Sequence, residues 1–142
     1  TYVKEKEDVL FLVIVSLLET YAREIPRTLE RVTDPLERFC AAVVHDNTVY
    51  VAGTVALDPS ADVKGQTAQI LTRIDEVLAE AGSHKSKVLS ANVYMADISK
   101  WEEMNTAWDA WVDPNNMPVR ATIECKLANP KYQVEIMMIA AL

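Results

Sequence analysis

Arg120 and Glu135 each stand among apolar neighbours in a strand-like run, and their types suit them to chemistry. Arg120 lies in "MPVRATIECKL" (117–127), where Val119, Ala121, Ile123 and Cys125 alternate with Arg120, Thr122, Glu124 and Lys126. Glu135 lies in "KYQVEIMMIAA" (131–141), the expected facing strand, which sets Gln133, Glu135 and Met137 on one face and Val134, Ile136 and Met138 on the other. A guanidinium grips a carboxylate through two parallel hydrogen bonds that an ammonium cannot copy. A carboxylate nearby can hold or move a proton. Together they would make an anion clamp with a proton-handling acid. The plainer alternative is a structural ion pair, or two long side chains reaching out at a sheet edge.

Other chemistries find little support. The chain has three glycines, Gly53, Gly65 and Gly82, too scattered for a phosphate-cradling loop. His45 and His84 lack ligand spacing, paired CxxC and HExxH patterns are absent, and no metal site is expected. No Ser or Cys has an evident His partner for covalent hydrolysis. The formal charge of −7 argues against nucleic acid, whose binding relies on Lys and Arg displacing counterions. Cys40 and Cys125 each fall in an apolar run and read as two buried thiols in a reducing, cytoplasmic compartment. Trp101, Trp108 and Trp111 share one helix as an aromatic stripe, which packing explains.

At 142 residues, half of them apolar, the chain is long enough for one well-cored domain. "VLFLVIVSLL" (9–18) is apolar on every side, yet well short of the roughly 20 residues that span a bilayer. Its flank is not net positive and no cleavage site follows, so residues 7–24 read as a packed helix. Strands are expected over 28–34 and on both sides of His45-Asp46-Asn47, a hairpin signal. Apolar residues recur at spacings of three and four from Val63 to Ala81, predicting an amphipathic helix that Gly82 stops. A strand over 87–97 follows, then a helix over 98–112 with Asp97 and Ser99 as candidate caps, and strands over 118–127 and 132–141. This βββαβαββ order makes an α+β sandwich, a sheet with two long helices on one face. Its other face is apolar and bare, which predicts an oligomer.

The run from "AAVVHDNTVYVAG" through "QTAQILTRIDEVLAEAGS" and "DISKWEEMN" to "MPVRATIE" and "VEIMMIAA" resembles the reactive intermediate deaminase family, the Rid or YjgF proteins. The likeness covers about residues 37–142, plausibly 27–142, with residues 1–25 as an atypical helical extension ahead of a domain over 26–142. It implies a chorismate-mutase-like fold assembled as a homotrimer, with sheets forming a central barrel and ligand sites in the clefts between subunits. The implied activity is hydrolysis of 2-imino or enamine acids, such as 2-iminopropanoate, to 2-keto acids and ammonia, with no cofactor. By the same resemblance Arg120 holds the substrate carboxylate and Glu135 positions or activates water. Gly53 and Ala52 lie under the ligand, and Asn105 lies at the site's edge. Phe39 and Thr122 stand where many members have tyrosine and cysteine. Those departures leave room for a second reading, a trimeric metabolite binder or holdase-like stress protein that does not turn its ligand over.

Overall fold

A computed structural model describes Arg27, Thr28 and residues 40–142. The expected helix over 7–24, most of the strand over 28–34, and Phe39 lie outside those residues. Strand β1 is Arg27–Thr28, β2 is Ala42–His45 and β3 is Thr48–Val55. Asp46 and Asn47 join β2 to β3 with φ of 44° and 60°. Positive φ at both central residues belongs to the turn whose twist matches paired strands, and Asp and Asn tolerate it.

Helix α1 spans Val63–Glu80. Asp62 caps it by accepting from the Gly65 N–H at 2.7 Å. Gly82, at φ 81°, turns the chain out of the helix, and the Ser83 N–H closes back on Leu78 O at 2.8 Å. Ile70, Leu71, Ile74 and Leu78 are fully buried against the sheet, each worth roughly 1.5–3 kcal/mol relative to exposure. Strand β4 is Val88–Met95. A 3-10 turn over Ile98–Lys100, capped by Asp97, leads into helix α2, Trp101–Trp111, so that helix starts three residues later than its periodicity predicts. Strands β5, Val119–Glu124, and β6, Val134–Ala141, complete the sheet.

The sheet order is β1-β2-β3-β6-β4-β5. Strand β6 thus inserts between β3 and β4, antiparallel to both, and β5 lies at the edge, parallel to β4. The expectation that β5 and β6 face each other is wrong: β4 separates them. Ala91, Val93, Met95, Val134, Ile136, Met138 and Ala140 point to the helices and are buried. The opposite face carries Tyr50, Met137, Ile139, Val119 and Ile123. Val119 is 73% exposed and Ile123 50%, so the apolar row of β5 faces outward in the single chain. Among the described residues no helix is long and apolar enough to cross a membrane.

Candidate active site

Strand alternation sends Arg120 and Thr122 to the helix side of the sheet, because they pair with the inward-pointing Ala91 and Val93. At that edge α2 presents Met104, Asn105 and Trp108, neighbours at helical spacings of three and four. Arg120 Nη2 donates to Asn105 Oδ1 at 2.9 Å, and Nη1 approaches the Met104 sulfur at 4.0 Å. The guanidinium lies 4.8 Å from the centre of the Trp108 ring, within cation–π range. Burial pushes the arginine's pKa down, and the nearby charge of Asp109 offsets part of that. The group still keeps its proton at any ordinary pH. Among the described residues no carboxylate lies within ion-pairing distance of it. The result is a half-buried cation whose one short hydrogen bond among the described residues is to a neutral amide.

Glu135 occupies the other face. It pairs with Tyr94 on β4 and Val55 on β3, and its carboxylate makes no hydrogen bond or ion pair with a described residue. The register of β3 shifts between Val51 and Thr54, which bends the strand around Ala52 and Gly53. There the Glu135 side chain lies directly against Gly53: a Cβ added to that glycine would overlap Oε1 and sit 3.2 Å from Cδ. Only glycine leaves that space.

Two pairs of expected site residues therefore meet, Arg120 with Asn105 and Glu135 with Gly53. The two pairs do not meet within one chain. They occupy opposite faces, β4 lies between their strands, and Glu135 is level with Ile123, three residues beyond Arg120. Thr122 shares the Arg120 face, as alternation predicts. Two surface grooves flank the ridge at Pro130 and Tyr132, one lined by Lys100, Lys131 and Gln133, the other by Glu124 and Cys125. Neither of these two grooves is lined by Arg120 or Glu135. Cys40 and Cys125 are free thiols and half-buried rather than buried. Among the described residues no group of His, Cys, Asp and Glu could hold a metal.

Trp108 is the member of the Arg120 cradle that reading the sequence assigned to packing alone. Its spacing of three from Asn105 was the available signal. Packing also holds, since Trp108 is only 5% exposed. Trp101, by contrast, is exposed, so the aromatic stripe is buried at two of its three positions.

Residues 29–142 match the family described as Endoribonuclease L-PSP. A RutC family protein of Haemophilus ducreyi is 46% identical over 109 residues, 77% of this chain and 93% of that one. The chain belongs to the Rid/YjgF family. Among its Rid/YjgF relatives, the RutC family protein YoaB of Escherichia coli K12 is 45% identical over 108 residues, 76% of this chain and 94% of the relative. A crystal structure of a YjgF family member from Neisseria meningitidis superposes with a TM-score of 0.76 at 37% identity, covering 84% of this chain and 96% of the other. The α+β sandwich expected from the element order is the family's fold.

Proposed function

We propose that this Rid/YjgF protein hydrolyses small 2-imino and enamine acids, of the 2-iminopropanoate and 2-iminobutanoate kind, to 2-keto acids and ammonia. The observation that carries this reading is the Arg120 guanidinium, half-buried and without a carboxylate partner among the described residues. A cation in that state gains most from an anion that arrives with the ligand. Glu135 supplies the second requirement. Because it lies on the far face of its own sheet, the acid that serves Arg120 is Glu135 of the partner subunit, in a cleft between copies of a homotrimer. The exposed apolar row of Val119 and Ile123, beside Arg120 on β5, supports assembly through that region.

Arg120 holds the substrate carboxylate so that the C=N carbon faces a water on the glutamate. Ala52 and Gly53 give the ligand a backbone floor, with Asn105 and Thr122 at its margin. As the water oxygen bonds to the carbon of the protonated imine and the C=N π electrons move onto nitrogen, Glu135 takes the water's proton and a neutral carbinolamine forms. The proton passes from Glu135 to nitrogen. The C–N bond then breaks as the hydroxyl oxygen's electrons form the carbonyl, ammonia leaves, and the hydroxyl proton returns through Glu135 to solvent. An enamine enters the same sequence after protonation at its β-carbon. Fixing both reactants removes much of the entropic barrier. No step requires a cofactor.

The second reading is a binder without turnover, and the separation of the two half-sites favours it: the Arg120 cradle is complete without the acid. RNA cleavage, which the family's description names, fits poorly with a net charge of −7. The test is to generate 2-iminopropanoate with an amino-acid oxidase and follow pyruvate release with and without the protein. Faster release supports hydrolysis. Pyruvate binding by calorimetry without faster release supports the binder.

A further inference from the structure

We propose that Trp108 is a positioning residue that fixes the plane of the Arg120 guanidinium and so sets how tightly a carboxylate is held. The proposal deepens the reading above and rests on Arg120 being the carboxylate clamp. An arginine side chain carries about 2 kcal/mol of rotamer entropy, and a two-point grip on a carboxylate requires the guanidinium in one plane. Three contacts restrict it here. Asn105 accepts at one edge at 2.9 Å, the Met104 sulfur lies near the other nitrogen, and the guanidinium carbon lies over the Trp108 indole, 4.8 Å from the ring centre. A guanidinium seated flat on that indole is held in one plane.

Trp108 can act this way because it is itself held. Its ring lies 5.5 Å from that of Trp111 at a tilt of 56°. The Trp111 Nε1–H in turn donates to Asp75 Oδ2 on α1 at 2.9 Å. The guanidinium on an edge strand is thereby tied through two indoles to the helix at the centre of the core. With one face closed by the ring, a carboxylate enters edge-on, in the plane of the remaining N–H groups. Stacking above the free face would use none of them.

The test compares Trp108→Phe and Trp108→Leu with the parent protein, all checked for the same thermal midpoint range and assembly size. Pyruvate binding is measured by calorimetry and imine hydrolysis by keto-acid release. Removing the π-face in Trp108→Leu is expected to weaken pyruvate binding and raise KM about tenfold, with kcat nearly unchanged, whereas Trp108→Phe restores most of the affinity. Equal pyruvate affinity in Trp108→Leu and the parent overturns the proposal. The parent protein gives a second check that does not depend on folding of a variant. Stacking on the indole must shift the Arg120 Nε–H proton upfield in the NMR spectrum, and an unshifted resonance overturns the proposal. Binding is read without turnover, so a parent that binds pyruvate through Trp108 yet leaves imines untouched contradicts the hydrolysis reading and supports this one.

Discussion

Arg120 on β5 donates to Asn105 on α2 at 2.9 Å, so the side chain nearest the candidate clamp is its uncharged neighbour and not an acid. An asparagine oxygen orients the guanidinium without cancelling its charge. Asn105→Asp keeps the shape and adds that charge. Pyruvate affinity should then fall by about tenfold to a hundredfold, because a bound anion would have to compete with an internal pair. Thermal stability should hold or rise slightly. Calorimetry and a melting curve on the same sample check both.

Arg120→Lys should keep the charge and lose the function. Lysine offers a point charge without the planar fork, so kcat/KM for 2-iminopropanoate should fall by roughly a hundredfold. Arg120→Ala should show no catalysis above background while retaining its fold and assembly. Steady-state rates with circular dichroism would separate lost chemistry from lost structure.

Gly53→Ala tests the other half-site. The new methyl would occupy the place of Glu135 Oε1, the far end of a side chain that can rotate away. Stability should therefore drop by no more than about 1–2 kcal/mol. Displacing a reacting group by an ångström can cost about a hundredfold, so kcat should suffer far more than KM.

Ile123→Asp addresses assembly. Half-exposed in the single chain, Ile123 points away from the helices and their core. A carboxylate there should be tolerated within about 0.5 kcal/mol by one subunit and rejected by an apolar contact between subunits. Sedimentation should show dissociation, with imine hydrolysis lost although Arg120 and Glu135 are intact.

Acid stability should depend in part on Asp97. The Ser99 hydroxyl and then the Ser99 N–H hold its carboxyl below the usual carboxylate range, at 2.6 and 3.0 Å respectively. A depressed folded pKa stabilises above the unfolded value, and that contribution is lost as pH falls through the folded value. Asp97→Ala should thus lower the melting temperature at neutral pH and make progressively less difference as pH falls below about 4 and on through the parent carboxyl's lower folded value. Melting curves across that range check it.

Much of the fold is legible in the chain because its signals are local. Asp46-Asn47 marks the hairpin, and the three-and-four spacing from Val63 with Gly82 behind it marks α1 within a residue. The insertion of β6 between β3 and β4 has no local signal, since it depends on pairing between distant segments. The outward orientation of the apolar row on β5 is hidden for a different reason. Val119 and Ile123 carry the apolarity of an inward row, yet they face away from the helices, and alternation states which residues share a face without stating which face the core covers. Within the candidate site, the Thr122 side follows from alternation, whereas the contact of Gly53 with Glu135 has no local signal because it joins two strands far apart in the chain. Trp108 was missed because a buried tryptophan on a helix is already accounted for by packing.

The most direct test of the account mixes two variants. Arg120→Ala and Glu135→Gln should each be inactive alone. Dissociated together and reassembled, they should regain part of the parent's imine hydrolysis, because some clefts then join an intact Arg120 to an intact Glu135 of the partner subunit. A mixture that reassembles and stays inactive, or a Glu135→Gln variant as fast as the parent, contradicts a site shared between subunits.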